Sequence, residues 1–226
     1  MNRKERRMDV PAKWVNPCGL AADDFEADQD VVQLSDDQLL AQVVVQAKTA
    51  LMHAQLFRDD YIKEMFTTNF DDLHTSWKSN RYDWLPGLRE IPKQLGEALS
   101  QDYLNKLEIR NLDTILLDTY EYMQIFAVGL EQIVWDQEDY NLRFQQQFQD
   151  TEFKLRTVLC ELQVALIERA VPLRPDVPRS VMGPQFRNMT ENTYRHLRDW
   201  LIFRDYMNGL EFIVQVFEHF RQVLES

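Results

Sequence analysis

Apolar residues recur at helical spacing in four long stretches of this chain. The first follows Ser35-Asp36-Asp37-Gln38, a capping-box pattern with acids in the first turn. Leu40, Val43, Ala47, Leu51, Ala54, Arg58, Tyr61, Ile62 and Met65 then return every three or four positions, which predicts a helix over 35–66. The second opens after Ser100. Its seam of Ile109, Leu112, Leu116, Thr119, Met123, Phe126, Leu130 and Ile133 alternates gaps of three and four, the pattern that packs in bundles. It predicts a helix over 100–135. Beyond the polar break at Asp136–Asp139, the run Tyr140, Phe144, Phe148, Thr151, Leu155, Val158, Leu162, Leu166 predicts a helix over 139–169. Thr190, or Asn188 before it, caps the last stretch. Leu197, Trp200, Phe203, Met207, Leu210, Val214, Phe217 and Leu224 predict a helix over 190–225.

The segments between them lose this period. Residues 67–99 hold Trp77, Trp84, Pro86, Gly87, Pro92 and Gly96 and read as a long connection with a short helix near 70–78. Long connections without structure of their own are uncommon in compact domains and are usually functional. Residues 171–189 hold Pro172, Pro175, Pro178, Pro184 and Gly183 and are not helical as a whole. Residues 1–34 combine a basic start, two prolines and the acids Asp23, Asp24, Glu26, Asp28 and Asp30. They read as a flexible N-terminal arm, a tail or a loosely docked segment, ahead of a helical domain over 35–226.

Composition agrees. The 226 residues include only 6 glycines and 8 prolines, too few for the frequent turns of a β-sandwich. A Gly-rich phosphate turn is missing too. The class is all-α, a four-helix bundle. Helices of about 30 residues are about 45 Å long. A connection of about 18 residues reaches roughly 60 Å when extended, enough to return along a helix. Long, short and long connections predict up-up-down-down order with two crossovers.

Charge and motifs narrow the function. The net charge of −12 disfavours nucleic acid and adsorption to anionic membranes. No apolar run approaches the length of a membrane span, so no membrane insertion is expected. Met1–Arg7 is basic but no apolar region follows, so no signal peptide is visible. The chain is then cytosolic, exported by another route, or begins upstream of Met1. None of His53, His74, His196 and His219 follows a glutamate by three, as di-metal carboxylate bundles require. Zinc clusters, P-loops and hydrolase elbows are equally missing. No catalytic residue, metal or cofactor is expected, and the chain is read as a non-enzyme.

Two further features bear on compartment. Cys160 lies off the seam of Val158 and Leu162, so it faces outward, and an outward cysteine is either covered by another segment or bonded to one. Cys18, in the turn-like Asn16-Pro17-Cys18-Gly19, could fold over it, which makes Cys18–Cys160 a candidate disulfide. Asn188-Met189-Thr190 is a candidate glycosylation sequon. Both features favour an extracellular life. Most aromatic residues read as core. Trp77, Trp84, Phe186 and Tyr194 lie in or beside connections, where loop anchors and partner contacts are both open readings.

The chain resembles a long-chain four-helix cytokine, closest to the interleukin-6-type group that includes ciliary neurotrophic factor and cardiotrophin. The resemblance covers about 35–226. It rests on helix order, on LCELQVALIERAVPLRP at 159–175 and on YRHLRDWLIFRDYMNGLEFIVQVFEHFRQVLES at 194–226. It implies a secreted, monomeric ligand that crosslinks cell-surface receptor chains and starts kinase-linked signalling through three surfaces. One joins the end of the first crossover to the C-terminal half of the last helix, where Arg221 matches an important basic position. The second uses the outer faces of the first and third helices. The third joins the start of the last helix to the first crossover. There Phe186 matches an aromatic position, but Met189 stands where a ciliary-neurotrophic-type Phe-x-x-Lys places lysine. Tyr194 and Arg198, with Trp77 and Trp84, are the candidates at that surface. The alternative is an intracellular helical adaptor or scaffold.

Overall fold

The computed structural model describes residues 3–21 and 33–226. The described residues form eight α-helices, two short 3₁₀ turns (Ile109–Asn111 and Arg179–Val181) and no strand. The helices are α1 (Arg3–Asp9), α2 (Asp36–Phe66), α3 (Phe70–Trp77), α4 (Gln101–Asn105), α5 (Leu112–Asp139), α6 (Gln145–Glu168), α7 (Pro184–Arg187) and α8 (Asn192–Glu225).

Local chemistry sets several helix ends, though not the start of α8, which follows Glu191 with no side-chain cap rather than Thr190 or Asn188. Ser35 Oγ accepts the Gln38 N–H at 3.2 Å while Gln38 Oε1 accepts the Ser35 N–H at 3.0 Å, closing the capping box that starts α2. Asn69 caps α3 through the Asp72 N–H at 2.9 Å.

The second long helix departs from its expected start at 100. Ser100 caps only the short α4. Glu108 is extended, with φ −113° and ψ 157°, and its N–H bonds Asn111 Oδ1 at 2.8 Å. This side chain competes with the helical ladder, so α5 begins at Leu112. At its other end α5 outruns the expected 135 and ends in a Schellman motif. Asn141 takes the left-handed conformation at φ 49°, Leu142 N–H bonds Gln137 O and Asn141 N–H bonds Glu138 O. That turn delays the start of α6 from the expected 139 to Gln145. Ala170 closes α6 in the same way, at φ 54°, with Val171 N–H on Leu166 O.

The four long helices enclose one core. α2 packs against α6 and α8, and α5 packs against the same two. Phe57, Tyr61, Phe148 and Phe203 meet in its middle. Ring centroids are 5.1 Å apart for Phe57 with Phe203 and 5.3 Å for Tyr61 with Phe148, a geometry worth about 0.5–1.5 kcal/mol per pair beyond burial. At the α5–α8 crossing the backbones approach closely. A Cβ on Gly209 would lie 2.7 Å from Phe126 Cε2, and one on Gly129 2.7 Å from Ile202 Cγ2.

The long 67–100 connection is stitched along α8 by polar side chains spaced on one face. Arg204 donates to the carbonyls of Trp77 and Asn80, both at 2.8 Å. Asn208 donates to Lys93 O at 3.0 Å. Glu211 accepts the Gly96 N–H at 2.9 Å, and Gln215 the Leu99 N–H at 2.7 Å. Lys93 is itself buried, with Nζ 2.6 Å from both Asn208 Oδ1 and Glu211 Oε2. Irregular backbone leaves N–H and C=O groups that need partners, and α8 supplies them.

The N-terminal segment is not loose where it is described. Residues 3–21 lie across α5, α6 and the 170–191 connection. Trp14 is 2% exposed and donates through Nε1 to Val177 O at 2.7 Å. Its carbonyl accepts from Gln124 Nε2 at 3.2 Å. Arg7 bonds Glu138 and Asp139, and Arg156 bonds Pro17 O. The indole, within the segment that reads from sequence as a flexible arm, is a core side chain. The acids Asp23, Asp24, Glu26, Asp28 and Asp30 lie outside the described residues.

Cys18 and Cys160 come to bonding distance, with Cα atoms 4.7 Å apart across a sequence separation of 142. The chain-entropy account assigns a crosslink over such a loop up to about 5 kcal/mol. Reduction by a phosphine should therefore lower the urea-unfolding free energy by roughly 2–5 kcal/mol. Identical unfolding curves with and without reductant would show that the folded chain carries no such bond.

Candidate interaction site

Two connections meet at the end of the bundle where α8 begins. Tyr82 and Trp84 come from the first, and Phe186 from α7 in the second. Tyr82 stacks on Trp84 at 6.3 Å with an interplanar angle of 13°. Phe186 lies 4.8 Å from Tyr82 and 6.0 Å from Trp84. The three half-buried rings line an open groove of about 390 Å³ with Arg81, Asp83 and Gln185 on its walls. The inner edge of Trp84 rests on the α5 backbone, with Cη2 3.2 Å from where a Gly129 Cβ would sit. Its Nε1 is buried and has no hydrogen-bond partner among the described residues.

Arg198 does not face a partner. It is fully buried and its guanidinium joins three elements. Nε and Nη2 donate to Asp199 Oδ1 at 2.9 and 2.6 Å, Nη1 donates to Phe186 O at 2.8 Å, and Nη2 also reaches Asp136 Oδ2 on α5. It therefore positions Phe186 from inside. Helical spacing places Arg198 near the start of α8, but only the tertiary structure folds α7 over it.

Two carboxylates share this one buried cation. Burial alone would lower the Arg198 guanidinium, but Asp199 and Asp136 raise it well above its ordinary value. Burial pushes Asp199 up to about 6, against the attraction of Arg198, and Asp136 adds like-charge repulsion. Neighbouring His196 is lowered by burial and by the charges of Arg195 and Arg198.

The other sequence candidates are dispersed. Trp77 is half-buried against the core and is tied to α8 through its carbonyl. Tyr194, on the first turn of α8, is 62% exposed. Arg221 lies at the opposite end of α8, half-exposed, bonding Asp37 Oδ1 of α2 at 2.7 Å. Asn188 is exposed just beyond α7. The structure thus brings Trp84 and Phe186 together, places Arg198 beneath them, and leaves Arg221 far along the helix.

Tyr82 and Arg81 are not singled out by the sequence pattern, although Tyr82 sits two residues from Trp84. A second exposed apolar set also escapes it. Val45, Met52 and Leu56 are exposed on α2, Leu56 at 78%, and Phe153 on α6 is 69% exposed. Their signal is apolar residues off the core seam. Among the described residues no group of His, Cys, Asp or Glu is arranged to hold a metal ion, and no helix is long and apolar enough to cross a membrane.

No family model matches the chain, and neither a curated protein nor a solved structure matches it.

Removing one member of a buried ionic cluster strands the others, at a cost of roughly 3–5 kcal/mol. Arg198→Met should lower unfolding free energy by that amount and expose Phe186 and Trp84 to a collisional quencher. A change under about 1 kcal/mol would show that the cluster does not hold the site. The Asp199 carboxyl also predicts a pH response. Its native value lies above that of an ordinary aspartate, so the native state binds the extra proton as pH falls through about 6. The destabilising cost of the ionised group is present above that pH and relieved below it. Asp199→Asn should remove this gain on acidification from neutral pH through the Asp199 transition, read from urea midpoints of parent and variant on either side of it.

Proposed function

We propose that this chain is a secreted helical ligand of the interleukin-6-type cytokine kind, which binds and crosslinks cell-surface receptor chains and starts kinase-linked signalling. No catalytic step and no cofactor belong to this reading, and the active form is a monomer. The observation that carries it is the aromatic groove of Tyr82, Trp84 and Phe186, where both long connections meet at the start of the last helix. Aromatic side chains in a shallow site on a rigid scaffold are the residues that dominate binding energy at protein interfaces. They are held here by a buried core and lose little freedom on association.

The topology proposed is up-up-down-down. It is supported by contacts at matched ends. The start of α2 meets the end of α8 through Asp37 and Arg221, and the end of α6 through Asp36 and Arg169. The start of α5 meets the end of α6 through Asp113 and Arg169. The end of α5 meets the start of α8 through Asp136 and Arg198. In each pair the helices oppose, so α2 and α5 share a direction and α6 and α8 share the other. The exposed apolar positions of α2 and α6 supply a second contact face under this reading, and Arg221 a third.

The sulfur pair of Cys18 and Cys160 supports the extracellular location, because disulfides persist in oxidising compartments and are rare in the cytosol. It weighs against an intracellular scaffold.

Purified protein added to responsive cells should raise receptor-proximal tyrosine phosphorylation. Tyr194→Ala and Phe186→Ala, and separately Arg221→Glu, should each raise the half-effective concentration about tenfold or more, with unchanged circular dichroism. Absence of a response across a panel of cell types, or variants indistinguishable from the parent, would overturn the reading.

A further inference from the structure

A second concavity adjoins α7, and its lining points to a saccharide. All three residues of the sequon, Asn188, Met189 and Thr190, border it. They share the lining with Trp135 and Tyr140, from the end of α5, and with Arg187 and Asp139. The cavity measures about 240 Å³. We propose that Asn188 carries an N-linked glycan whose first N-acetylhexosamine seats in this pocket against Trp135 and Tyr140. The proposal deepens the extracellular reading and rests on it, because the modifying machinery acts in the secretory route.

The chemistry of the lining is that of a polyol site. The lining holds two cations, Arg7 and Arg187, and two acids, Asp136 and Asp139, a set with no net charge, which favours a neutral, hydroxyl-rich ligand over an ion. Arg187 is 7% exposed. Its Nη1 bonds Gln132 Oε1 at 3.1 Å and its Nη2 reaches Arg179 O at 3.3 Å. Its Nε–H is buried with no partner among the described residues, an unmade bond that costs stability and that a sugar oxygen would satisfy. Tyr140 is 47% exposed and presents an aromatic ring at the rim. Arg195, stacked 3.9 Å from the ring centre, holds that ring in place.

Asn188 is accessible for the reaction. It is exposed and follows the last residue of α7, outside regular helix. In the modification its Nδ2 attacks the anomeric carbon of a lipid-diphosphate-linked oligosaccharide. The new N–C bond forms as the C–O bond to the diphosphate breaks. The amide nitrogen gives up one proton, the lipid diphosphate leaves, and no redox change occurs.

The test routes the full chain through the secretory pathway behind a cleavable leader, so occupancy does not depend on native export. Enzymatic deglycosylation turns a glycosylated asparagine into aspartate, so the Asn188–Arg195 tryptic peptide should show that amide-to-acid mass change at its first residue. Asn188→Gln should abolish the corresponding shift in electrophoretic mass. Glycan trimmed to one sugar should show nuclear Overhauser contacts from its N-acetyl methyl to the ring protons of Trp135 or Tyr140. Complete removal should lower the melting temperature of the parent by a few degrees. Tyr140→Ala, at an exposed position, should remove the ring contact and shrink that difference. Unmodified Asn188 in the exported protein overturns the proposal, as does an occupied Asn188 whose sugar shows no ring contact. Failure of the cell-signalling assay with an occupied, seated sugar would instead count against the ligand reading alone.

Discussion

The need of irregular backbone for hydrogen-bond partners organises this molecule. The connection from 67 to 100 is long enough to have many conformations, yet its carbonyls and N–H groups meet one polar stripe on α8. Arg204, Asn208, Glu211 and Gln215 recur at gaps of four, three and four, next to the apolar face of the same helix. Each takes one stretch of the connection. Where these bonds are buried or partly buried, at Trp77, Lys93 and Leu99, an unmade one carries the full desolvation cost of the stranded group. The register of the connection on α8 follows, and with it the positions of Trp77, Tyr82 and Trp84.

The second connection is tied by the same physics with buried cations. Arg198 holds the carbonyl of Phe186, and Arg187 holds that of Arg179. Arg179 in turn pairs with Glu131 and reaches the carbonyls of Met8 and Val10. N-terminal segment, α5 and second connection are thereby joined by one network of hydrogen bonds and ion pairs. The buried cations Lys93, Arg187, Arg195, Arg198 and Arg204 are balanced by the buried acids Glu131, Asp136, Glu152, Asp199 and Asp205. The interior is thus close to neutral, and the chain's excess of 37 acidic over 25 basic residues falls on the remaining, more accessible positions.

Much of this is legible along the chain, and the parts that are not share a cause. Ser35 with Gln38 marks the start of α2 within one residue, because a capping box is made by neighbours in sequence. The apolar period locates all four long helices, because burial on one face imposes it. The break at 106–111 is hidden. Ile109 and Leu107 continue the apolar pattern, and only the Asn111 side chain, turned back onto Glu108, shows that the ladder stops there. Trp14 is hidden more deeply, since an indole between Pro11 and Pro17 carries no helical period that would mark a core face. Its partners are Gln124 and Val177, at sequence separations of 110 and 163.

What the sequence determined by itself was therefore the helical class, the approximate extent of the helices and the set of aromatic residues left over for the connections. These depend on contacts within a few residues. Tertiary structure alone decided that Arg198 points inward, that Tyr82 joins Trp84 and Phe186, that residues 3–21 are packed, and that Asn188 borders a pocket. Each depends on which distant segment covers a given helical face. Period and propensity describe one face of one element, whereas the direction of a cation or an indole is set by what lies opposite it.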